Sequence, residues 1–172
     1  MTIRAGSIGP SWQLNFGNRV AMSSVGDNRA LIRNTGSLVI ALEQLKVTSP
    51  VAATVLIQGG IQTGAATTAP IGTSAGLLTP PESRIGVTST AFPGRAYYGT
   101  SGAATGITTS AGVYTYNTQE LEAAGSLAAA TPDDPILIYP SGALVVHVLP
   151  SSQQAVGVWA QAIQVPKEVV PL

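Results

Sequence analysis

The chain has 172 residues and no formal net charge, and only 9% of its residues are charged, against about 25% in an ordinary soluble domain. Without a positive excess it is not a basic nucleic-acid binder, and without cysteine it is neither a disulfide scaffold nor a thiolate metal site. Its apolar content of 45% excludes a charged disordered tail. The length is typical of one domain, so we expect residues 1–172 to form a single unit.

The first predicted element is a strand that follows an extended N-terminal arm over residues 1–11. Trp12, Leu14 and Phe16 alternate with polar residues, as in a strand with one buried face, and a break is expected near Gly17. The arm has no apolar stretch resembling a secretion signal, and no apolar run in the chain approaches the roughly 18 residues of a membrane span. We therefore expect synthesis in a cytoplasm and no membrane partner.

The next predicted elements are the two arms of a hairpin. Residues 30–33 and 37–47 are rich in apolar side chains and flank Asn34-Thr35-Gly36, a sequence that suits a tight turn. A third apolar run, at 51–57, ends at Gly59-Gly60, and the double glycine predicts a break in the strand.

Residues 59–112 differ in composition from the rest of the chain. They hold 11 of the 19 glycines and three charged residues, Glu82, Arg84 and Arg95. Long structureless loops are uncommon within compact domains and are often functional. We therefore predict a low-charge excursion that is ordered by partner subunits. Short strands are predicted within it at 85–89 and directly after it at 113–116.

The C-terminal third contains one predicted helix, followed by three predicted strands. Asn117 and Glu120 have the spacing of a capping box and Gly125 suits a helix end, so a short helix is predicted at 118–124. Turn signals then recur about every 8–12 residues, a spacing typical of antiparallel sandwiches and barrels. The predicted turns are 131–135, 140–142 and 150–154, the predicted strands are 136–139, 143–149 and 155–165, and an extended tail follows at 166–172.

Together these elements predict an all-β fold. We expect an antiparallel β-sandwich, jelly-roll-like, with the long Gly/Thr/Ala-rich excursion at 59–112 and at most one short helix. A parallel α/β sheet would need a helix between successive strands, and one candidate helix does not supply them. No repeat of 20–50 residues is visible, so a propeller or solenoid is not expected.

The sequence carries no recognisable catalytic or cofactor motif. A serine triad would use His147, the single histidine, as its base, but no nucleophile elbow accompanies it, and its strand context favours a sheet-face or interface histidine. Asp133 and Asp134 lack the spacing of a calcium loop and are interpreted as a solvated turn. Glu120 and Glu122 would not face one another on a helix. We therefore predict no enzymatic activity, no cofactor and no metal site.

A polar and aromatic cluster within the excursion is the predicted functional site. Arg84, Arg95, Tyr97 and Tyr98 lie close together in the sequence and belong to two residue types that are favoured at interface centres. We predict that they form a subunit interface. The alternative is that the tyrosines pack on the local sheet.

The cysteine-free all-β pattern, the Pro140-Ser141-Gly142 hairpin within 136–149 and the last strand with Trp159 resemble small virion proteins of tailed bacteriophages. These include capsid decoration, or cement, proteins and their β-sandwich or jelly-roll relatives, and the resemblance covers roughly residues 11–57 and 113–165. It implies a homo-oligomer, a trimer or a dimer, located in the virion and assembled in the host cytoplasm. Its partners would be the major capsid protein or other virion subunits, with no nucleic acid and no membrane, and it would clamp neighbouring capsomers.

Two alternatives to a capsid decoration protein stay open. A tail, collar or fibre subunit belongs to the same class of virion assembly proteins, and the neighbouring genes would distinguish it from a capsid protein. A carbohydrate-binding or host-adhesion sandwich would need several exposed aromatic platforms, and the chain holds only two tryptophans and five tyrosines.

Overall fold

Every regular element in the described part of the protein is a β-strand, which confirms the predicted all-β class. The computed structural model describes residues 10–16, 28–62, 76–78, 90–100, 107–108 and 115–165. The strands are β1 (Ser11–Asn15), β2 (Asn28–Asn34), β3 (Val39–Ser49), β4 (Ala53–Gln62), β5 (Gly76–Leu78), β6 (Gly94–Thr100), β7 (Ile107–Thr108), β8 (Thr115–Leu121), β9 (Gly125–Ala130), β10 (Ile136–Ile138), β11 (Gly142–Pro150) and β12 (Gly157–Val165).

The strands form two antiparallel sheets. Within the described residues, the five-stranded sheet has the order β1-β12-β3-β10, with β9 also paired to β3. The seven-stranded sheet has the order β5-β6-β2-β11-β4-β7, with β8 also paired to β4. The antiparallel sandwich is therefore confirmed, while the jelly-roll order stays a prediction.

The main hydrophobic core lies between the two sheets. Alternate residues of a strand point to the same face, and the side chains that meet in the core come from both sheets. Trp12 and Leu14 contribute from the five-stranded sheet, and Ile32 and Val55 contribute from the seven-stranded sheet. The alternation predicted for residues 12–16 is confirmed, since these apolar side chains are buried.

Several connections between consecutive strands run from one sheet to the other. β2 belongs to the seven-stranded sheet and β3 to the five-stranded sheet, and β11 is likewise in the opposite sheet from β10. The hairpins predicted around Asn34-Thr35-Gly36 and Pro140-Ser141-Gly142 are therefore wrong, although the chain does turn at both places. Stacked sheets lie about 10 Å apart, and turn residues alone do not distinguish such a crossing from a hairpin.

Asn34 joins two of these sheet-to-sheet connections at one end of the sandwich. Its side-chain amide donates to the carbonyl oxygens of Leu38, at 2.8 Å, and Ile138, at 2.7 Å. Its Oδ1 accepts from the Gly36 amide at 3.0 Å, and its own carbonyl oxygen accepts from the Ser141 amide at 3.2 Å. A single buried asparagine therefore satisfies backbone groups of both connections.

The helix predicted at 118–124 is wrong. β8 occupies Thr115–Leu121, pairs with β4 and ends at a turn. Across this pair, Thr54 Oγ1 donates to both carboxylate oxygens of Glu120, at 2.8 and 2.9 Å. A seven-residue helix has little stability of its own, so pairing with the sheet overrides the capping signal.

The double glycine does not break β4, contrary to the prediction. Gly59 and Gly60 are buried and pair with β11.

β5, β6 and β7 also come from the 59–112 segment, and β6 pairs with β2 inside the seven-stranded sheet. The excursion therefore contributes strands to the sandwich itself, while its ordering by partner subunits stays a prediction. Residues 1–9, 17, 85–89, 113–114 and 166–172, which carry most of the predicted arm, the break predicted near Gly17, strand positions and the tail, lie outside the described residues. Ser11, predicted as the end of the arm, already belongs to β1, and residues 115–116 of the strand predicted at 113–116 belong to β8.

Each sheet also carries buried apolar side chains on its outer face, the face that points away from the core. These clusters are Val39, Ala41, Ile163 and Val165 on the five-stranded sheet, and Leu31, Tyr97, Ala143 and Val145 on the seven-stranded sheet. Strands that are buried on both faces form continuous apolar runs instead of alternating ones, which explains the unbroken apolar sequence at 38–42.

Candidate interaction face and a buried acid

The structure places the predicted interface residues in different environments. Arg95 is exposed and Tyr97 is buried, and both belong to the outer face of the seven-stranded sheet. Tyr98 is half-buried and packs against the core. Arg84 lies outside the described residues. The structure therefore brings Arg95 and Tyr97 to one face, and both tyrosines pack on the local sheet, as the alternative interpretation held. That these residues form a subunit interface stays a prediction.

Three cross-strand rows of side chains occupy this outer face, two of them cationic and the one between them apolar. Side chains directly opposite one another in an antiparallel pair have Cβ atoms about 4.5–5.5 Å apart, so each row is a row of neighbours. The rows, read across β6, β2 and β11, are Arg95–Arg33, Tyr97–Leu31–Val145 and Arg29–His147. We term these seven residues the Arg–Tyr face. The single histidine is thus a sheet-face residue, as predicted.

Arg33 is the fully buried cation of the Arg–Tyr face, with 0% of its surface exposed. Burial lowers the pKa of Arg33, the neighbouring Tyr97 raises it, and the positive charge of Arg95 lowers it. Like charges directly opposite one another on a sheet are destabilising. Strands β2, β6 and β11, all in the described part of the chain, contribute three arginines and one histidine and no Asp or Glu to the sheet.

Close packing at the start of β6 sets Arg95 beside Arg33. A Cβ atom on Gly94 would overlap the carbonyl oxygen of Arg33 and would lie 3.0 Å from the ring of Phe92, so this approach of the two backbones requires glycine. At the other end of β2, the buried Asn28 donates from Nδ2 to the Val148 carbonyl oxygen at 3.2 Å. The Arg–Tyr face is therefore carried by strands that are fixed against one another.

The segment that leads into β6 is anchored by Trp12, which the sequence assigns only to the core. Its indole Nε1 donates to the Thr90 carbonyl oxygen at 2.8 Å, and its ring meets Phe92 edge to face with centroids 5.7 Å apart. Thr35 Oγ1 donates to the Pro93 carbonyl oxygen at 3.2 Å. These contacts fix the approach of the chain to Arg95, and no local sequence signal reveals them because the partners are far apart in the chain.

A buried acid on the five-stranded sheet is a second feature, which the sequence reasoning missed. Glu43 of β3 is 1% exposed, and neither of its carboxylate oxygens has a hydrogen-bond partner in the described structure. Burial raises the pKa of Glu43 because a charged carboxylate is poorly solvated there. The sequence does carry a signal for this burial, because Val39 and Ala41 alternate in step with Glu43 and make that face of the strand apolar.

The other acids that the sequence singled out lie at exposed positions. Asp133 and Asp134 are exposed in the predicted turn, which is closed by a bridge between Thr131 and Asp134. Nowhere in the described ranges do three His, Cys, Asp or Glu side chains come together in a way that could hold a metal ion. The same ranges contain no helix with the length and apolar content needed to cross a membrane.

Comparison with known proteins gives no assignment for this geometry. No protein-family model, curated protein or solved structure significantly matches the chain.

Proposed function

We propose that the chain is a non-enzymatic structural subunit of a bacteriophage virion, and within that class a capsid decoration protein that binds and stabilises neighbouring capsomers. The observation that carries the proposal is the Arg–Tyr face. Its exposed residue is Arg95, which lies beside the buried Arg33 and Tyr97, and Arg is enriched where protein surfaces bind one another. Paired central strands hold these side chains in place before binding, which reduces the ordering cost of association.

The accessible groups of the Arg–Tyr face suit a partner that presents carboxylates. Arg95 is exposed, Arg29 and His147 are half-buried, and Leu149 lies two residues further along β11 with 41% of its surface exposed. A carboxylate placed beside Arg95 would offset the repulsion between Arg95 and Arg33, and charge complementarity of this kind also fixes the orientation of a partner. We therefore propose an acidic patch of a neighbouring virion subunit as the binding partner.

The low charge of the five-stranded sheet supports assembly into a larger particle. Its described strands carry two ionisable side chains, Glu43 and Lys46. A surface of low charge on a protein with zero net charge promotes association, which favours a homo-oligomer, a trimer or a dimer. In this proposal the subunit acts in the virion and is assembled in the host cytoplasm.

The test is binding of the purified chain to empty shells assembled from the major capsid protein encoded in the same genome. Saturable co-sedimentation with a fixed number of copies per capsomer supports the proposal. Arg95→Glu reverses the exposed cation of the Arg–Tyr face, and Lys46→Glu is the matched control because it makes the same charge change on the other sheet. A chain that stays in the supernatant at every ratio overturns the proposal.

A tail, collar or fibre subunit is the alternative within the same class. Its gene would lie beside tail genes, and the chain would bind tail assemblies instead of shells. A carbohydrate-binding or host-adhesion module belongs to a different class. Among the described residues, Tyr139 is the large aromatic side chain that is exposed, with 40% of its surface accessible. One exposed aromatic ring is a small platform for stacking a sugar. A glycan array with a clear saccharide hit would favour this class.

A further inference from the structure

Glu43 is the extra residue of a β-bulge in β3. Gln161 of β12 pairs with Gln44, and the next residue, Ala162, pairs with Leu42, so Glu43 has no pairing partner on β12. A bulge disrupts the ladder of hydrogen bonds and leaves its extra residue unpaired. In this bulge the unpaired residue is an acid that is almost completely buried.

The ladder is also interrupted on the other edge of β3. Leu42 is the last residue that pairs with β10, and Leu45 is the first that pairs with β9. The turn at residues 131–135 joins β9 to β10 and is largely exposed. The register therefore places this turn opposite Glu43 and Gln44. Glu43 lacks a ladder partner on both edges of β3, whereas Gln44 lacks one only on this edge because it pairs with Gln161 of β12.

The described elements of the five-stranded sheet supply no buried counter-charge to Glu43. β1, β9, β10 and β12 contain no ionisable side chain, and β3 contributes Lys46, which is exposed. The turn beside the gap carries Asp133 and Asp134, whose charges have the same sign as an ionised Glu43. An ionised carboxylate without a partner in an apolar setting is strongly unfavourable.

We propose that Glu43 makes the five-stranded sheet proton-sensitive: β3 and the β9–β10 edge close around the neutral acid and separate when it ionises. Opening of the 131–135 turn admits water to the carboxylate and relieves its burial. The direction is set by burial, which raises the pKa of Glu43 in the folded chain. The stability that the neutral Glu43 contributes is fully present below the ordinary glutamate pKa of about 4.3. This contribution is lost as the pH rises through the raised folded-state pKa. This proposal does not depend on the virion function.

Glu43→Gln keeps the shape of the side chain and removes its charge. We expect the ratio of the wild-type unfolding constant to that of E43Q to rise with pH, by up to about tenfold per pH unit, and then to level off above the folded-state pKa. Urea unfolding at a series of pH values measures this ratio. Glu122→Gln, at an exposed position, is the control and leaves the wild-type profile unchanged. A ratio for E43Q that is constant with pH overturns the proposal.

The wild-type chain provides a second measurement that does not require E43Q to fold. Carbon-detected NMR follows the carboxyl group of Glu43 as the pH is raised. We expect Glu43 to titrate above the ordinary glutamate pKa of about 4.3, and amide exchange at residues 131–138, corrected for its intrinsic pH dependence, to rise over the same range. Titration of Glu43 at the ordinary glutamate pKa, or titration without faster exchange, overturns the proposal.

Discussion

Replacement of Asn34 by alanine tests how the two sheet-to-sheet connections are held together. The substitution removes the bonds donated to the Leu38 and Ile138 carbonyl oxygens and the bond accepted from the Gly36 amide. A hydrogen bond contributes about 1 kcal/mol net, and a buried group left unsatisfied costs about 1–3 kcal/mol. Since Asn34 is fully buried and three backbone groups lose a partner, we expect the free energy of unfolding to fall by about 3–5 kcal/mol.

Urea unfolding followed by tryptophan fluorescence measures this loss. With a denaturant slope of about 2 kcal/mol per molar urea, the unfolding midpoint falls by about 2 M. Thr35→Ala is the matched control in the same turn, because its hydroxyl bonds the Pro93 carbonyl oxygen in an exposed setting and its loss costs less than about 1 kcal/mol. Equal effects of the two substitutions would refute the role of Asn34 in joining the connections.

The remaining predictions concern β6, β8 and the charge on the Arg–Tyr face. Gly94→Ala forces β6 away from β2 and lowers the free energy of unfolding by about 1–3 kcal/mol; an unchanged urea midpoint contradicts the close approach at this glycine. Arg95→Met removes the repulsion on Arg33, raises the free energy of unfolding by about 0.2–1 kcal/mol and weakens shell binding. A loss of both stability and binding contradicts the like-charge pair. Backbone carbon chemical shifts at residues 115–121 have strand values, and helical values there would contradict β8.

The positions of the strands near the C-terminus were predictable because turn residues bracket them. The predicted strands at 136–139, 143–149 and 155–165 correspond to β10, β11 and β12 within two residues at each end. Which strands pair was not predictable from such local signals. The crossing after β2 depends on Asn34, whose amide reaches a carbonyl oxygen 104 positions away, and residue spacing does not encode that contact.

The Arg–Tyr face was predictable only in part, because the pairing of strands that are distant in the sequence brings its residues together. Arg95 and Tyr97 are two positions apart on one strand, so the sequence places them on one face. Arg33 and His147 join them through strand pairing and come from distant parts of the chain. The burial of Glu43 was missed because a lone acid in a strand usually lies on a solvated face. The predicted sandwich strand had one buried face and one solvated face, whereas β3 is apolar on both faces.

The proposed function is tested most directly by binding of the purified chain to shells of the major capsid protein encoded in the same genome, with Arg95→Glu and Lys46→Glu compared side by side. We expect the wild type and Lys46→Glu to bind alike, and Arg95→Glu to bind at least about tenfold more weakly, which corresponds to about 1.4 kcal/mol. Binding of Arg95→Glu with wild-type affinity would contradict docking through the Arg–Tyr face.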